Sequence, residues 1–76
     1  MHCIYEVRYE MRWHSAAPDQ WEARTARVLA GLDAQDAVEK AREAALKLHL
    51  MSDNGVEERC TGFRLREVVL IAEATL

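Results

Sequence analysis

The stretch from Cys3 to Trp13 constrains the fold more than any other. Cys3, Tyr5, Val7, Tyr9, Met11 and Trp13 alternate with Ile4, Glu6, Arg8, Glu10 and Arg12. A period of two marks a strand with one face on a core and one in water. The apolar face needs a second layer to bury it. With 76 residues the chain has room for one domain with a thin core.

The remaining elements follow in order. His14 to Gln20 holds Pro18-Asp19, which is turn chemistry. Seven residues make a long hairpin loop, one that either carries contacts or moves. A second strand runs from about Trp21 to Ala30. Trp21, Ala23 and Thr25 suit the core face at its start, and Ala26, Val28 and Ala30 at its end. That change of phase predicts a bulge near Thr25–Ala26. Asp33 is a good helix N-cap, with Asp36 in the capping-box position. A helix is expected from Ala34 to about Leu50, with Ala34, Val38, Ala41, Ala45 and Leu48 on one stripe, widened by Ala37 and Ala44. Ser52-Asp53-Asn54-Gly55 would end it, with Asn54 or Gly55 in the left-handed conformation. Val56 to Thr61 reads as an acidic connector. A third strand starts near Gly62 and runs to about Ala74, and its apolar run Val68 to Ala72 implies burial on both faces.

These elements predict an α+β fold, β-β-α-β, spanning residues 1–76 as a single domain. The three-stranded antiparallel or mixed sheet has order 2-1-3, and the helix covers one face against Tyr5, Val7, Tyr9 and Met11. A right-handed crossover returns the chain to the third strand. Cys3 and Cys60 then lie at opposite ends of the sheet, on the order of 30 Å apart, too far for a disulfide.

Composition excludes some functions. The net charge of −3 offers no global attraction to nucleic acid or an acidic membrane. The longest apolar stretch falls far short of the ~20 residues of a membrane span. The N-terminus enters a charged strand instead of a signal peptide, so a cytoplasmic location is expected. His2, Cys3, His14 and His49 lack the short paired spacing of a zinc site, so neither metal nor cofactor is expected. Ser15 and Cys60 lie in no nucleophile motif, and the three glycines are too far apart to cradle a phosphate. No enzymatic activity is expected.

Two surfaces remain. Glu6, Arg8, Glu10 and Arg12, joined by Arg64 and Arg66 and by one or both of Arg24 and Arg27, form a charged open sheet face. It is either a salt-bridged exterior or a docking surface for a partner. RNA-binding sheets carry stacking aromatics there, whereas Tyr5 and Tyr9 point into the core. Val68, Val69, Leu70 and Ile71 form an apolar edge that monomers usually protect, so a homodimer or a target protein is expected to cover it. Trp13 and Trp21 either clamp the end of the core or anchor an interface.

Thr25-Ala26-Arg27-Val28-x-Ala30 followed by Asp33-x-x-Asp36-Ala37-Val38-Glu39-x-Ala41 resembles the strand–helix segment of small phage and prophage proteins, some anti-CRISPR proteins among them. The resemblance spans Thr25 to Ala41. It implies a non-enzymatic, phage-encoded inhibitor that binds a Cas protein or complex in the host cytoplasm. Such proteins often use acidic groups to occupy nucleic-acid channels. Here the resemblance implies Glu39, Glu43, Asp53, Glu57 and Glu58 for that role. The expectation is therefore a small protein-binding inhibitor. The alternative is a nucleic-acid binder using the Arg-bearing sheet face.

Overall fold

The computed structural model describes residues 2–31, 33–51 and 55–74. Its elements are β1 (His2–Trp13), β2 (Glu22–Ala30), α1 (Ala34–Leu46), β3 (His49–Met51) and β4 (Glu57–Ala74). All the strands pair antiparallel, in the order β2-β1-β4-β3. The central place of the first strand and the α+β class agree with the sequence reading. The strand count does not, since β3 adds a fourth.

β3 replaces what reads as the end of the helix. The helix stops at Leu46, and Lys47 and Leu48 donate to Ala44 and Ala45 in a tightened last turn. Leu48 still packs against the core, and its carbonyl accepts from the Cys60 N–H at 3.1 Å. Leu50 and Met51 find no core to bury them and stand exposed. Pairing His49–Met51 with Glu57–Arg59 instead satisfies their backbone. The segment expected to be an acidic connector is thus mostly strand. Gly55 takes the positive φ of +81° expected of it or of Asn54; residues 52–54 lie outside the described residues.

The core is one row of β1 under a line of alanines. Cys3, Tyr5, Val7, Tyr9 and Met11 are buried, as are Ala37, Ala41 and Ala45 of α1, with Ala30 and Cys60. Alanine at every buried helix position lets the helix backbone approach the sheet closely. Phe63 stacks on Tyr9 with ring centroids 4.9 Å apart. Asp33 caps α1 by accepting from the Gln35 N–H at 3.0 Å. Asp36 reaches instead to Gly31 N–H at 3.4 Å and Lys40 at 3.4 Å, so no reciprocal capping box forms.

The expected bulge in β2 is absent. β1 and β2 pair without a slip from Cys3–Ala30 to Met11–Glu22. Ala26, Val28 and Ala30 share the helix side. Glu22 and Arg24 continue that side beyond the helix and pair with each other at 3.0 Å. Ala23 and Thr25 therefore lie on the open face, not the core face. The hydrophobic pattern changes because the helix stops covering the strand, not because the strand turns over.

The irregularities lie in β4. Its register against β1 slips between Gly62 and Cys60, between Glu67 and Leu65, and between Ala72 and Leu70. One extra residue stands at Thr61, at Arg66 and at Ile71, five residues apart. Each such bulge adds local twist and interrupts the ladder. Cys3 and Cys60 are buried and free, opposite Glu73 and Trp13 at the two ends of β1.

Candidate functional site: the open face of the sheet

One helix covers one face of the sheet, and no described residue forms a layer over the other. The strand register maps that open face row by row. Leu29, Ile4 and Ala72 form an apolar row at one end; Arg27, Glu6 and Val69 form the next. Thr25, Arg8 and Glu67 follow, then Ala23, Glu10 and Arg64, then Arg12 and Gly62. Five arginines, with Arg66 included, face three glutamates. The face therefore carries two net positive charges on a chain whose net charge is −3.

The charges are paired within the face. Arg8 bonds Glu6 at 2.6 Å and Glu67 at 2.7 Å. Glu10 accepts from Arg64 at 2.9 Å and from Arg66 at 3.3 Å. Arg27 stands 4.0 Å from Glu6. Exposed pairs of this kind contribute little stability each, but they fix where the guanidinium groups lie. Arg12 makes no ion pair among the described residues, so its charge is the least committed.

The hydrogen bond from Arg64, and then the charges of Arg64 and Arg66, hold the Glu10 carboxyl below the usual carboxylate range against an opposing desolvation. A lowered folded-state value stabilises the fold above the unfolded value, and the gain is lost as pH falls through the folded one. Glu10→Gln is expected to flatten the loss of thermal stability across that acid range. Unfolding midpoints measured from neutral to acid pH test this, and parallel curves for both proteins would refute it.

Trp21 lies on this face, not at the end of the core. The Arg64 guanidinium carbon sits 4.2 Å from its ring centroid. The ring lies against Gly62, where a Cβ would meet Trp21 Cη2 at 3.1 Å and Arg12 Cβ at 3.1 Å. A side chain there would crowd the indole, which would have to shift by a few tenths of an ångström. Trp13 takes the other side, packs against the core and donates its Nε1 to Glu22 at 3.2 Å.

The acidic residues implied by the resemblance do not gather. Glu39 and Glu43 are exposed on α1, on the opposite side from the open face. Glu57 stands 3.4 Å from His49 across the β3–β4 hairpin. Glu58 accepts from the hydroxyl and the N–H of Ser15, and His14 N–H bonds Arg59 carbonyl at 2.9 Å. Those contacts tie the loop after β1 to β4. Asp53 lies outside the described residues. A shallow cavity of about 360 Å³ between loop and hairpin is lined by Trp13, Ser15, Ala16, Gln20, Leu50 and Glu58. Among the described residues no group of three or more His, Cys, Asp or Glu side chains is placed to hold a metal ion, and no helix is long and apolar enough to cross a membrane.

Val68, Val69, Leu70 and Ile71 lie on β4 as the sequence placed them, on an outer edge that no described strand pairs, but the burial on both faces expected of this run is not observed: Val68 and Val69 are half-buried and Leu70, Ile71 and Ala72 exposed. β3 pairs with β4 only as far as Arg59, and Leu65, Leu70 and Ile71 are exposed. No protein-family model, curated protein or solved structure matches the chain.

Proposed function

We propose that the chain is a small protein-binding module with no reaction of its own, docking a partner on the open face of its sheet. The observation that carries this reading is the row map: an apolar row, exposed at Leu29 and Ala72, at one end of a face whose central arginines pair with glutamates, with no covering layer among the described residues. Interface cores are rich in Arg and apolar contact, with polar rims. The excess of two positive charges favours an acidic partner surface. The resemblance to anti-CRISPR proteins makes a Cas effector the first target class to try, bound by a phage-encoded inhibitor. The reading includes a second copy of the chain at the outer edge of β4.

Affinity capture from nuclease-treated host lysate tests it. A stoichiometric protein partner is expected with the native chain and is expected to be lost with Leu29→Asp, whose unfolding midpoint should stay near native because Leu29 is already 44% exposed. Recovery of no partner, or equal recovery with the variant, refutes docking on this face.

Trp21 favours a second reading, nucleic-acid binding by the same face, because base stacking uses an aromatic ring among arginines. Glu6, Glu10 and Glu67 oppose it. A gel shift at low salt with single- and double-stranded DNA and RNA separates the two.

A further inference from the structure

We propose that a second copy of the chain pairs with the outer edge of β4, antiparallel and centred on Val69, so that one sheet runs through both protomers. This rests on the self-association proposed for that edge and specifies its geometry. The side chains along this edge identify the kind of occupant. Leu65, Val68 and Leu70 sit opposite Tyr9, Val7 and Tyr5 and share the helix side; Val69 and Ala72 sit opposite Glu6 and Ile4 and share the open side. One occupant covers both sets only if it lies in the plane of the sheet. A strand does this and also takes up the unpaired backbone groups of an edge.

The sequence of the edge identifies the strand. The bulges at Arg66 and Ile71 leave Glu67–Leu70 as a regular window between them. Read antiparallel about Val69, the apolar residues Val68 to Leu70 of this window are their own complement, and Glu67 meets the bulged Ile71 at its margin. Val69 meets Val69 of the second copy, and Val68 meets Leu70, all apolar pairs that favour a sheet. β3 does not obstruct the arrangement. Ten residues, about 33 Å of strand, separate Val69 from Arg59, the last position that β3 pairs. Both open faces then point the same way, so the docking surface is doubled and not consumed.

Sedimentation and site-directed crosslinking test the arrangement. At concentrations on the order of 100 µM, where mass action favours assembly, the native chain is expected to sediment at twice its monomer mass. Val69→Cys is expected to form an interchain disulfide under mild oxidation. Residues directly opposite in an antiparallel pair have Cα atoms about 4.5–5.5 Å apart, within disulfide range. Leu65→Cys should not crosslink, because four residues on each side of the axis place its two copies roughly 27 Å apart. Cys3 and Cys60 are buried and do not compete. A monomer overturns self-association itself, with the bulges then sufficient to protect the edge. A dimer without the Val69→Cys crosslink, or with equal crosslinking at both sites, overturns the Val69-centred pairing alone.

Discussion

Met11→Ala is expected to destabilise the fold by about 2–5 kcal/mol, a large share of the total stability of so small a domain. Met11 and Val7 are the largest side chains fully withdrawn from water, both at 0% exposure. Met11 lies opposite Phe63, whose ring stacks on Tyr9. Its truncation leaves a hole that the sheet cannot close, because the backbone on both sides is fixed by β2 and β4. Natively folded domains of ordinary size have only about 5–15 kcal/mol in total, and a 76-residue core sits toward the lower end. Denaturant unfolding followed by circular dichroism measures the loss. A change below about 1 kcal/mol would mean that the site relaxes far more than its packing allows.

Ala41→Leu is expected to cost about 1–3 kcal/mol by overpacking, although leucine is a good helix former and more apolar. Ala41 is 2% exposed and faces the sheet in the middle of the Ala37–Ala41–Ala45 line. Three more carbons there must push the helix off β1 or force an unfavourable rotamer. Ala44→Leu, one turn on but exposed, is the matched control and should stay within about 0.5 kcal/mol of native. Equal effects at the two positions would show that helix propensity, not close approach to the sheet, governs this layer.

Much of the architecture was legible because β1 is so regular. Its alternation runs without a break, and every odd residue from Cys3 to Met11 is buried as the period requires. The central position of β1 and the separation of the two cysteines follow from that frame, and the capped start of the helix follows from Asp33. β3 was not legible. Three residues are too few to carry a period, and His49-Leu50-Met51 continues a helical pattern as well as it starts a strand. The bulges of β4 were hidden for another reason. A bulge shows in sequence as a slip of phase, and the run from Val68 to Ala72 is apolar on every residue, so it has no phase to slip. In β2 a true change of pattern pointed to a bulge that is not there, since the extent of the helix above it was unknown.

The candidate site was legible in its residue types but not in its pairing. Glu6, Arg8, Glu10 and Arg12 belonged on the open face by parity alone. That Glu10 would take both Arg64 and Arg66 depended on a bulge 54 residues or more away along the chain. Trp21 rests against Gly62 of another strand, a contact that the sequence does not show. Glu57 and Glu58 have partners, His49 and Ser15, that a charge pattern does not reveal.

The three extra residues of β4 also bear on how this chain can change length. Loss of a single residue inside β1 would turn every later side chain of that strand to the wrong side. Loss of Thr61, Arg66 or Ile71 would instead bring the flanking pairs into direct succession, as Arg8–Glu67 and Tyr9–Leu65 show at Arg66. Inward and outward positions on either side would keep their places. β4 thus holds three slots where a one-residue deletion is absorbed locally, and β1 between its partners holds none on its own strand. Over generations, single-residue deletions in this sheet should be tolerated at those three places in β4 while β1 keeps its length.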